Sequence, residues 1–133
     1  EKPFFFLDAH WLDNWPLEDE MKLITTLLKK AVVMIDDFKI PHRPEFIYDK
    51  YGSKECSVEL IAPHMKKKNS YKMFLPDYGR DIFKNGNYHP VLSGYPIIFQ
   101  NMNKEYSTFN RQNFVKDYFK ESTKLLIDSI GKK

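Results

Sequence analysis

Two short apolar runs, each closed by aspartate, constrain this chain more than any other feature. Pro3-Phe4-Phe5-Phe6-Leu7 ends in Asp8, and Ala31-Val32-Val33-Met34-Ile35 ends in Asp36-Asp37. Runs of this length without polar alternation read as strands covered on both faces, as in parallel sheets. Between them, Leu17, Met21, Ile24, Leu27 and Leu28 recur at helical spacing. Pro16 suits the first turn of that helix, Glu18, Asp19 and Glu20 suit its positive end, and Lys29-Lys30 its negative end. Strand, helix and strand form a βαβ unit, which predicts a parallel pair, a right-handed crossover and both aspartate sites on one sheet edge. Ligands of such sheets bind beyond the carboxyl ends of the strands.

The rest of the chain extends this α/β pattern. Residues 38–52 hold Pro41, Pro44 and Gly52 among Phe38, Phe46, Tyr48 and Tyr51, and read as a long aromatic loop of the kind that carries function. A helix is predicted from Glu55 to Met65, interrupted at Pro63, and strands over Tyr71–Leu75 and Tyr95–Gln100. Asn85-Gly86-Asn87 has turn chemistry. Arg111–Ile130 reads as an amphipathic helix with Phe114, Val115, Tyr118, Leu125, Leu126 and Ile130 on its core face, stopped by Gly131. The expected architecture is a partial, mostly parallel, Rossmann-like sheet that ends in an antiparallel strand pair, with helices on its faces.

Composition bounds the function classes. With 133 residues the chain makes one domain with a real core, and 42% hydrophobic against 29% charged residues is a globular balance. A net charge of +3 gives no reason to invoke nucleic acid, and Lys66-Lys67-Lys68 reads as a solvated patch. No apolar run approaches the roughly 18–20 residues that span a bilayer. A single cysteine, Cys56, permits no internal disulfide. The cytoplasm is the expected location. Because the chain opens almost at once into an apolar strand, it is expected to be a segment of a longer protein.

Chemistry concentrates at the strand ends. Asp8, Asp36 and Asp37 on one edge repel one another unless a cation or a proton intervenes, and a hard ion such as Mg²⁺ with oxygen ligands would resolve that. The plain alternative is one aspartate capping a turn while another is solvated. His10 beside Asp8 is a candidate general base, or else packs within its loop. His42, His64 and His89 have no ligand-like spacing, one cysteine makes no structural zinc site, and the five glycines form no phosphate-binding loop.

These residues resemble a family. Phe5-Phe6-Leu7-Asp8-Ala9-His10-Trp11, with Val32-Val33-Met34-Ile35-Asp36-Asp37-Phe38 and Ile40-Pro41-His42-Arg43-Pro44-Glu45-Phe46, is similar to the second half of class I S-adenosylmethionine-dependent methyltransferases of the catechol O-methyltransferase type. The likeness is concentrated in residues 4–46, and element order extends it beyond them. It implies S-adenosylmethionine as cofactor, contacted by Asp8 and Trp11, with Mg²⁺ on Asp8, Asp36 and Asp37. Asp37 stands where the family has Asn. Leu12 stands where it has a catalytic lysine, so His10 is the natural replacement base. Phe38, Pro41, Tyr48 and Tyr51 would wall the pocket for a small-molecule or sugar acceptor. The family's glycine-rich cofactor half has no counterpart here, and is expected upstream as the missing partner half. Two other readings stay open: a metal- and nucleotide-sugar-dependent glycosyltransferase-like enzyme, and a non-catalytic binding or scaffold domain.

Overall fold

The computed structural model describes residues 1–10, 13–76, 92–102 and 114–115. Strand β1 (Phe4–Leu7) lies parallel to β2 (Ala31–Ile35), with Phe4 opposite Val32 and Leu7 opposite Ile35. Helix α1 (Leu17–Leu27) joins them, and the expected βαβ unit is present. Pro16 stands just before the helix, where a missing N–H costs nothing, and its carbonyl accepts from Glu20 N–H at 2.9 Å. The helix stops short of the two lysines: Leu28 is already extended, with φ −103° and ψ 140°. Three amides hold that exit. Asn69 Nδ2 donates to the Thr25 carbonyl, Gln100 Nε2 to Leu28 and Asn101 Nδ2 to Lys29, each at 2.8 Å. Carbonyls left over at the helix end are thereby satisfied without a glycine cap.

The main sheet has the order β1-β2-β8-β6-β9, with β6 spanning Tyr71–Pro76, β8 Ile97–Gln100 and β9 Phe114–Val115. Only β1 and β2 pair in parallel; β8 runs antiparallel to both β2 and β6, and β6 antiparallel to β9. The described sheet is therefore mixed rather than mostly parallel, because β8 inserts between the strands that precede it in sequence. Ile97, Ile98, Phe99 and Gln100 are all buried, as a central strand requires. β1 departs from expectation in the other direction. Phe5 and Leu7 face the core, whereas Phe4 and Phe6 are 59% and 50% exposed, so the strand has one open face.

Leu17, Met21, Ile24 and Thr25 of α1 pack over the core face of the sheet, together with α2 (Val58–Ile61) and the 3₁₀ turn Ala62–His64 that Pro63 makes of its end. Ser57 caps α2 by accepting from Leu60 N–H at 3.4 Å. The helix expected over Glu55–Met65 thus begins later, because Lys54–Glu55 is strand β5. It pairs with β4 (Lys50–Tyr51) across a turn that places Gly52 at φ 58°. Strand β3 (Phe46–Ile47) pairs in parallel with β7 (Leu92–Ser93), so the long aromatic loop carries structure of its own. Among the described residues no helix is long and apolar enough to cross a membrane. The turn expected at Asn85-Gly86-Asn87 and most of the predicted helix Arg111–Ile130 lie outside the described residues; Phe114–Val115, within that helix range, form β9.

Gly94 packs the start of the loop against β7. Its carbonyl accepts from Phe38 N–H at 3.1 Å, and a Cβ there would fall 2.4 Å from Ile40 Cγ1 and 3.0 Å from the Phe38 carbonyl oxygen. Gly94→Ala is expected to cost about 1–3 kcal/mol through overpacking. Urea unfolding of the two proteins measures it, and an unchanged midpoint would refute this close contact.

Candidate functional site

The parallel register fixes the site. Since Leu7 lies opposite Ile35, the next residues, Asp8 and Asp36, emerge side by side, and Asp36 N–H donates to the Leu7 carbonyl at 2.9 Å. Asp36 Oδ1 accepts from Asp37 N–H at 2.8 Å. Asp37 then turns into the left-handed region, at φ 45°, which Asp tolerates better than most residues. Its carboxylate is hydrogen-bonded by Ser93 Oγ of β7, an oxygen that also lies 3.4 Å from Asp36 Oδ1.

That turn redirects the loop across the strand ends. Asp49 N–H donates to the Asp37 carbonyl at 2.9 Å, Cys56 N–H to Asp49 at 2.9 Å, and Lys39 N–H to Cys56 at 2.7 Å. Asp49 is thereby brought to the edge as a further carboxylate, with one oxygen 4.0 Å from His10 Nε2. The His10 ring lies 6.2 Å from the Tyr51 ring, and Tyr51 lies 5.0 Å from Trp15. From below, α1 contributes Glu20, whose buried Oε2 takes no hydrogen bond among the described residues. Asp8, His10, Trp15, Glu20, Asp36 and Asp49 line a cleft floored by Leu7, Ile35 and Cys56. Its volume is about 10 Å³, room for one water molecule, one ion or one reacting group.

Charge is crowded here. Burial, and then the Asp8 carboxylate, push Asp36 above the usual aspartate range against the pull of the Asp37 N–H. Burial raises Asp49 as well, with Asp37 adding to it and His10 opposing. Burial alone raises Glu20. Cys56 is 2% exposed, and burial pushes its thiol far up, so it is a packed thiol and not a nucleophile.

Of the residues singled out in sequence, Asp8, His10 and Asp36 meet in the cleft, with Asp37 and Tyr51 at its edges. The rest of the supposed pocket wall is elsewhere. Phe38 is 0% exposed and belongs to the core. Pro41 makes a tight turn with His42 at φ 60°, closed by Arg43 N–H donating to the Ile40 carbonyl at 3.2 Å. Tyr48 donates to Glu55 Oε1 at 3.1 Å beneath Lys39. Trp11 lies outside the described residues. Glu20, Asp49 and Ser93 had not been singled out. Glu20 carried a signal, because it shares the buried helical stripe of Leu17, Met21 and Ile24. Among the described residues no group of three or more His, Cys, Asp or Glu side chains is arranged to hold a metal ion.

No family model, curated protein or solved structure matches the chain.

A carboxyl whose folded value is raised contributes stability fully present below its ordinary value and lost as pH rises through the raised one. Asp36→Asn keeps the acceptor for Asp37 N–H and removes the repulsion with Asp8. It is expected to raise stability at pH 7 by about 0.5–1 kcal/mol, a melting shift of a few degrees. The gain should shrink as pH falls toward the ordinary Asp value of 3.8. Thermal melts of both proteins from pH 4 to 8 measure it; a loss of stability at neutral pH would contradict the crowding.

Proposed function

We propose that this chain is the second half of a class I S-adenosylmethionine-dependent methyltransferase that methylates an oxygen of a small molecule or sugar. The observation that carries the reading is the meeting of Asp8, Asp36 and His10 at the carboxyl ends of a parallel strand pair. The strand directions support it: β8 runs antiparallel to β6, in line with the antiparallel strand pair in which the resembled fold ends. Half-exposed Phe4 and Phe6 on β1 are apolar surface that a cofactor-binding half would cover. The cytoplasm, where a lone buried thiol stays reduced, is the location that suits this reading.

His10 acts as the base. The Asp49 carboxylate, 4.0 Å from His10 Nε2, stabilises the cation formed when the acceptor hydroxyl gives up its proton. Bound S-adenosylmethionine supplies an electrophilic methyl group. The chain's own part is to hold the oxygen in line and take its proton in a cleft the size of one reacting group. Asp8 is assigned to the cofactor. The described residues do not fit Mg²⁺ as a resident ion: no three of their carboxylates and imidazoles are arranged to hold one, and Asp37 is hydrogen-bonded by Ser93.

The intact protein is expected to transfer a labelled methyl group from S-adenosylmethionine to an oxygen acceptor. His10→Ala should lower turnover about 10²–10⁴-fold, the range of a lost general base. Cofactor binding should be unaffected in that variant. Failure of the intact protein to bind S-adenosylmethionine by calorimetry, in the presence or absence of Mg²⁺, would sink the reading.

A further inference from the structure

A cleft of about 10 Å³ admits a hydroxyl and excludes the molecule that carries it, so the body of any substrate has to lie outside. Directly beside the cleft, and sharing Trp15 with it, is an open groove of about 670 Å³. That volume is within the range of small-molecule sites. Its apolar surface is the Trp15 and Tyr51 ring pair, with centroids 5.0 Å apart and planes at 55°. Tyr51 also approaches His10, at 6.2 Å between centroids, so a ligand on these rings lies next to the proposed base.

The charge of the groove selects among ligands. Its two cationic candidates are taken up internally: Lys54 Nζ is hydrogen-bonded to Glu18 Oε2, and His64 Nε2 lies 3.0 Å from Glu18 Oε1. The bond from Lys54 is the main reason that Glu18 stays below the usual glutamate range and remains ionised. Asp13 and Asp19 add further negative charge. Among the described lining residues no free cation offsets the repulsion that a phosphate or nucleotide diphosphate would meet. Exposed Asn14 and Ser53 supply hydrogen-bonding groups around the rings. An uncharged molecule with many hydroxyls and an apolar C–H face suits such a surface, because polarised C–H bonds pack on the negative face of an aromatic ring.

We propose that the groove on Trp15 and Tyr51 binds a saccharide and is the acceptor subsite for the neighbouring cleft. Its role as acceptor subsite rests on the methyltransferase reading; the ligand class rests on the groove. The ring stacks on Trp15 and Tyr51, and hydroxyls pair with Asn14, Ser53 and the carboxylates. One sugar hydroxyl reaches past Trp15 toward His10.

The test is saturation-transfer NMR on the intact protein with methyl glycosides of glucose, galactose, mannose and N-acetylglucosamine, with their β-linked disaccharides, and with glucose 1-phosphate. Ring C–H protons of at least one neutral sugar should receive saturation. Binding should weaken at least tenfold in Tyr51→Ala and stay within twofold in Tyr51→Phe, with circular dichroism showing both variants folded. Glucose 1-phosphate should bind more weakly than the glucoside. Saturation of no sugar, equal binding by Tyr51→Ala, or preference for the phosphorylated sugar would each overturn the proposal. Saccharide binding in a protein that transfers no methyl group refutes the methyltransferase reading and leaves the saccharide groove standing. Methyl transfer to a non-sugar acceptor, without saccharide binding, overturns the groove alone.

Discussion

The pairing of Leu7 with Ile35 determines most of what this molecule can do. In a parallel pair, strands of matched length end at the same level, so whatever follows each strand is forced together. Here Asp8 and Asp36 follow, and their proximity is unfavourable in proportion to how dry the site is. The fold tolerates it through compensations that also come from the backbone. The Asp37 N–H is aimed at Asp36, and Ser93 of β7 is drawn against Asp37. A one-residue slip of β1 would send Phe4 and Phe6 toward the core and Phe5 and Leu7 outward, so the core itself enforces the crowding.

The level of those strand ends is held from the opposite side of the sheet. Asn69, Gln100 and Asn101, from the end of the β6–β8 pair where β6 begins and β8 stops, donate to the carbonyls of Thr25, Leu28 and Lys29 at the α1 exit. Thr25, 2% exposed, accepts from Lys66 N–H at 3.2 Å and ties the same helix to the segment entering β6. A helix docked this way cannot slide along the sheet without breaking buried polar bonds. Glu20, on the first turn of that helix, therefore keeps its place in the cleft.

What sequence could tell followed from what each feature depends on. The strands, the α1 stripe and the aspartates that close each strand depend on local periodicity, and they were legible. The position of β8 between β2 and β6 depends on which edge a later strand finds, which its own residues do not encode. Phe38 illustrates a competing rule: an aromatic residue in a proline-rich loop suggests a pocket wall, but the residue after Asp37 folds back under the loop and hydrophobic burial wins, at 0% exposure. Asp49 reaches the site only through the left-handed turn at Asp37 and the β4–β5 hairpin, a path set by tertiary hydrogen bonds. Exposure of Phe4 and Phe6 was likewise invisible, because a run of three phenylalanines reads the same at a sheet edge as at its centre.

The smallness of the cleft and the breadth of the groove beside it divide two tasks. Catalysis at an oxygen needs a small, charged recess in which one hydroxyl meets one base. Recognition needs area, which the strand ends do not offer. The loop supplies it by placing Tyr51 on a hairpin whose Gly52 turn leaves the ring free to meet Trp15. Trp15 borders both spaces, so movement of that one side chain would alter binding and alignment together. On the proposed reading, binding on the rings would align the hydroxyl with His10, and Trp15 and Tyr51 would act on the reaction from outside the cleft.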